Sequence, residues 1–101
     1  MRMRRRTVTV ARTGNLFAQF GFPHVEAESL LLRSRLMSEV RKAVRGLSKA
    51  RAAKRLGVTQ SRLNDLLRGE IDAFSVDALI NMLSEAGMHV ELRVKKKRPE
   101  E

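Results

Sequence analysis

The stretch from Leu47 to Gly69, LSKARAAKRLGVTQSRLNDLLRG, leaves a chain like this few ways to fold. Ser48 is placed to cap a first helix over residues 49–56, its hydroxyl accepting an orphan backbone N–H, and Gly57 stands where a left-handed terminal residue is wanted. Two residues later Thr59 is placed to cap a second helix over residues 60–68. Val58 before that cap and Leu63 inside the helix are spaced as a hydrophobic staple. Apolar residues at Leu47, Ala52, Ala53, Leu56, Val58, Leu63, Leu66 and Leu67 give each helix one apolar side, and the two sides must face each other. The small side chain of Ala53 permits the close approach.

Two short helices joined this steeply form a helix-turn-helix, whose second helix projects its outer face and fits a major groove about 12 Å wide. That face carries Gln60, Ser61, Arg62, Asn64, Asp65 and Arg68, and the pattern sets nothing apolar on it. Gln60, Ser61, Arg62 and Asn64 are the expected base-reading residues, because Arg matches guanine O6 and N7 while Gln and Asn match adenine. Lys49, Arg51, Arg55, Thr59 and Arg68 flank the groove at helix ends and are the expected phosphate contacts. Asp65 repels phosphate and is expected to orient Arg62 or Arg68 instead.

Charge points the same way. A net charge of +10 on 101 residues calls for a polyanionic partner. Residues 1–25 hold five Arg and no acid, and residues 47–70 hold six basic and two acidic side chains. Residues 71–94 reverse the sign, with Arg93 against Asp72, Asp77, Glu85 and Glu91. The positive charge thus lies on the N-terminal arm and the motif, and the segment after the motif serves another purpose.

The rest of the chain reads as one domain over residues 14–94, with a basic arm at 1–13 and a charged tail at 95–101. In the arm, Thr7 to Val10 alternates as an edge strand would; a frayed tail and a phosphate-binding arm are the other two readings. Leu16, Phe17, Phe20 and Phe22 form an uncharged plug expected to pack into the core, with burial against a partner as the other reading. Pro23 opens a long helix with Leu32, Leu36, Val40, Ala43, Val44 and Leu47 on one stripe, running to Arg45 with Gly46 ending it. Arg33, Arg35, Arg41, Lys42 and Arg45 mark its solvated side. Leu30, Leu31 and Met37 broaden the stripe, as a contact across a dimer would.

Ser75 caps a further helix to Ala86, stapled by Phe74 and Leu79, and Met88 to Val94 alternates as a half-buried strand. Such a strand needs a partner for its backbone, either its own copy in a second subunit or the Thr7 to Val10 segment. The expected fold is therefore mainly α: a compact helical bundle with a helix-turn-helix and a C-terminal strand. Residues 71–94 are the expected dimerisation segment, with Met88, Val90, Leu92 and Val94 at the contact.

Catalytic chemistry is not expected. The chain has no Cys, no nucleophile elbow and no Gly-rich phosphate loop, and His24 and His89 lack metal-ligand spacing, so neither an enzyme nor a metal or other cofactor is anticipated. No run approaches the roughly 20 apolar residues of a membrane span, so a cytoplasmic protein without membrane contact is expected. RNA is disfavoured, since base-stacking platforms need exposed aromatics and the chain has four Phe, no Tyr and no Trp.

Ala53, Gly57, Val58, Leu63 and Leu66 at these spacings resemble the helix-turn-helix of the Cro/C1-repressor (XRE) superfamily. Over roughly residues 14–94 the chain is similar to compact members that include HigA-type antitoxins. That resemblance implies a homodimeric repressor on a palindromic double-stranded DNA operator, and an antitoxin that neutralises a small ribonuclease toxin of the RelE/HigB type. A stand-alone XRE-type repressor with no toxin is the alternative.

Overall fold

The computed structural model describes residues 4–10 and 24–96. The expected aromatic plug at 14–23 and the tail past residue 96 lie outside the described residues. In chain order the elements are strand β1 (Arg4–Val10), helix α1 (His24–Ala43), helix α2 (Lys49–Leu56), helix α3 (Gln60–Leu67), a 3-10 turn (Ile71–Ala73), helix α4 (Val76–Glu85) and strand β2 (Met88–Val94).

Local chemistry explains the helix ends. Ser48, Thr59 and Ser75 each sit in extended backbone, and each hydroxyl accepts the N–H three residues on, from Arg51, Arg62 and Ala78 at 3.3, 3.1 and 3.1 Å. A cap of this kind stabilises a helix by about 1 kcal/mol, which matters for helices of eight residues that are marginal alone. At the other end of α2, Gly57 has φ +69° and gives its N–H to the carbonyls of Ala53 and Lys54. Only glycine reaches that conformation without strain. Helix α1 stops at Ala43, two residues before the expected end, and Val44 to Gly46 form the turn that leads to α2.

One core holds these elements together. Leu36, Met37, Val40 and Val44 from α1 meet Ala52, Ala53 and Leu56 from α2, Leu63 and Leu66 from α3, Phe74, Leu79, Met82 and Leu83 around α4, and Met88 from β2. Of the three residues expected to reach across a dimer, Leu30 and Met37 are buried within the chain and Leu31 is half-buried. Arg33 is also displaced from the solvated side. Its side chain is 18% exposed, Nη1 donates to the Ile71 carbonyl at 3.3 Å and lies 3.9 Å from Asp72, and the guanidinium so ties the 3-10 turn to α1.

The two strands pair with each other. β1 lies parallel to β2, with Arg4 opposite Met88 and Val10 opposite Val94. Of the two partners open to the C-terminal strand, the N-terminal segment is the one observed, and it runs from Arg4 rather than Thr7. A parallel pair requires a crossover, and here the whole helical domain is that crossover. Met88, an expected dimer contact, instead belongs to the core, because the first residue of β2 follows α4 so closely that its side chain drops onto the helices. Val90 is half-buried against the same core, whereas Leu92 and Val94, 46% and 87% exposed, run beyond it.

Candidate nucleic-acid interface

Helix α3 is fixed on its inner side by Leu63 and Leu66, both buried, each contributing roughly 1.5 to 3 kcal/mol on burial. Ala52 and Ala53 of α2, each 4% exposed, leave room for it to sit close. Its outer side is set by the same geometry: Gln60 and Ser61 are exposed, and Asn64 is half-buried one turn further on. The structure therefore brings three of the four expected base readers onto one face, at the capped N-terminal end of the helix.

Arg62 is the exception. At about 100° per residue it stands roughly 200° around the helix from Gln60, on the side that packs. Its guanidinium lies over the Phe74 ring, 4.2 Å from the centroid, and Phe74 is only 1% exposed. Arg62 also walls an open cleft of about 380 Å³ between the Gly57–Val58 turn and α4, with Asn81 and Glu85 across it. Without DNA, Arg62 therefore does not share the Gln60 face: its side chain packs α3 against Phe74, the residue that precedes the α4 cap.

Leu67 corrects the pattern in the other direction. Assigned to the packed side, it is 44% exposed, for at seven residues from Gln60 it returns almost to the same azimuth. The heptad spacing within α3 was the signal that would have found it. The recognition face accordingly ends in an apolar side chain, suited to a thymine methyl.

The expected phosphate contacts are arranged around this face. Lys49 and Arg51 are exposed on the first turn of α2, beside its N-cap. Arg55 is exposed but donates from Nη1 to the Ala43 carbonyl at 3.3 Å, so it also fastens α2 to the end of α1. Thr59 is exposed, and its oxygen accepts the Arg62 N–H while its own proton stays available to an acceptor. Arg68 is paired with Asp65 and lies 3.9 Å from Glu70. Asp65 thus orients Arg68, not Arg62, and its charge is partly neutralised where phosphates would approach.

Among the described residues no group of three or more His, Asp or Glu side chains stands together as a metal site would, and no described helix is long and apolar enough to cross a membrane. Compared with known families, residues 16–95 match the family model described as a helix-turn-helix domain. The chain belongs to that family. No match was found among curated proteins or among solved structures. The matched residues include the capped pair α2–α3, the helices that buttress it and β2.

Proposed function

We propose that this helix-turn-helix protein is a sequence-specific, double-stranded DNA-binding transcriptional regulator, a cytoplasmic repressor that acts as a homodimer on a palindromic operator. The observation that carries the reading is the outer face of α3, where Gln60, Ser61 and Asn64 are offered from a helix whose inner face is locked by Leu63 and Leu66. Gln60 and Asn64 present the donor and acceptor pair that matches adenine, Ser61 serves either kind of edge, and Leu67 suits thymine. Lys49, Arg51, Arg55, Thr59 and Arg68 hold the phosphates. Two half-sites about 34 to 36 Å apart need two recognition helices, which is the reason for a dimer.

Selection of bound duplexes from a random library tests this directly. A recovered inverted repeat, bound far more tightly than random DNA at fixed salt, is the expected result. Recovery of no preferred sequence, with equal affinity for every duplex, would overturn it.

The antitoxin role is the finer reading, and it rests on the resemblance to HigA-type proteins together with the acidic balance of residues 71–94, which complements a basic partner. Co-expression with the product of the adjacent reading frame is the check. A stable complex that silences a ribonuclease supports the antitoxin; a neighbour that neither binds nor cleaves RNA leaves a stand-alone repressor.

A further inference from the structure

The sheet has two strands, so β2 has one edge paired with β1 and an opposite edge with no strand on it among the described residues. Along that strand the inner face changes character. Met88 and Val90 rest on the core, while Leu92 and Val94 continue the same row past it and stay 46% and 87% exposed. The outer face carries His89, Glu91 and Arg93, and it lies in solvent. An open edge with an uncovered apolar row beside it is a template for another strand.

We propose that a second copy of this chain occupies that edge, β2 against β2 antiparallel, with Leu92 on the two-fold axis and a continuous sheet of order β1, β2, β2 of the partner, β1 of the partner. The inference rests on the dimeric reading above and supplies its interface and register. Which register forms is decided by charge and by faces. If both apolar rows are to share one side, the axis is perpendicular to the sheet and must pass through a residue rather than between two.

Centring on Glu91 sets Glu91 against its own copy. Centring on Arg93 sets two arginines face to face, and centring on Val94 sets Arg93 against Lys95. Like charges directly opposite are destabilising. Centring on Val90 spends the pairing on Met88, which the core has already buried, and sets Val94 opposite Ala86 at the end of α4. Centring on Leu92 instead places Leu92 against its copy, Val94 against Val90 twice, and Glu91 against Arg93 twice, with His89 opposite Lys95 at the ends. This register alone covers the exposed apolar row and pairs opposite charges on the wet face. The contact between His89 and Glu91 at 3.6 Å within one strand is compatible with it, since both lie on that face.

Cysteine scanning reads the register. Leu92→Cys is expected to form a disulfide-linked dimer on mild oxidation. Val90→Cys and Val94→Cys are expected to cross-link only when mixed with each other, because each lies about 13 Å from its own copy at the usual strand rise. Reversing one charge, Glu91→Arg or Arg93→Glu, raises the dimer dissociation constant by about tenfold, and the double reversal returns it to within about threefold of the parent. A dimer that cross-links at none of these positions overturns the interface, and so does a monomer at tens of micromolar. Duplex selection on the same samples separates the two ideas: a monomer that still selects one sequence refutes the interface and leaves DNA recognition standing.

Discussion

Replacing Arg62 with Ala separates a base reader from a residue that seats the recognition helix. In the structure the guanidinium rests 4.2 Å from the centroid of a ring that is 1% exposed, with Arg62 itself half-buried. A cation over an aromatic face is worth about 0.5 to 1 kcal/mol at exposed sites and about 2 when desolvated. Adding the lost contact of the aliphatic stem, Arg62→Ala should lower stability by about 1 to 2 kcal/mol, or roughly 4 to 15 °C in Tm for a domain of this size. Urea denaturation of Arg62→Ala, Phe74→Leu and the double variant measures the coupling directly, and about 1 kcal/mol is expected between the two sites. Fluorescence anisotropy with the selected operator and a random duplex at one salt concentration completes the test. Affinity for both duplexes should fall by the same factor. Stability unchanged within about 0.3 kcal/mol, together with an operator-specific loss of tenfold, about 1.4 kcal/mol, would show that Arg62 leaves Phe74 and reads a base.

Four further outcomes are expected. Thr59→Ala should cost about 1 kcal/mol by freeing the Arg62 N–H, with Thr59→Ser close to the parent in thermal melts. Gly46→Ala and Gly57→Ala, at φ +82° and +69°, should each cost about 1 to 2 kcal/mol. Gly57→Ala should cost more, because the new Cβ meets Glu85 Cγ at 3.3 Å, and Glu85→Ala should remove only that excess. Lys49→Ala and Arg51→Ala should leave melting unchanged and each reduce the slope of log affinity against log salt by about 0.9; an effect confined to one sequence would contradict a phosphate role. Leu67→Ala should weaken operator binding, and replacing the relevant thymine by deoxyuridine should weaken the parent but not the variant.

What could be read from the sequence was what short-range chemistry decides. Ser48, Thr59 and Ser75 announce their helices because a cap bonds to the N–H three residues away, and Gly57 announces the turn because few residues tolerate its φ. The buried residues of α2 and α4 follow from spacing, as do Leu63 and Leu66 of α3, whereas Leu67 was read onto the packed side and lies exposed. The direction of Arg62 was half legible: helical arithmetic puts it away from Gln60, but its partner Phe74 is positioned by the 3-10 turn at Ile71–Ala73, which no local pattern announces. Arg33 was hidden for the same reason, since the carbonyl it satisfies belongs to that turn. The pairing of β1 with β2 was least legible, because alternation marks a strand without naming its partner, and these two strands lie at opposite ends of the chain.

That pairing bears on how the recognition face is held. A two-stranded parallel sheet has little intrinsic stability, and such sheets normally persist when a face is covered. Here the cover is the helical core, reached through Met88 and Val90. The cluster that contains Met88 also contains Leu83, Leu56, Leu63 and Leu66, so the packing that anchors β2 is continuous with the packing that seats α3. Interiors at crystal-like density pass a displaced side chain on to its neighbours instead of absorbing it. The sheet and the recognition helix are therefore one mechanical unit. If a second copy joins at the open edge of β2, the rigidity that fixes α3 within a protomer also fixes the distance between the two recognition helices, so the spacing of the half-sites becomes a property of the core and not of a flexible linker.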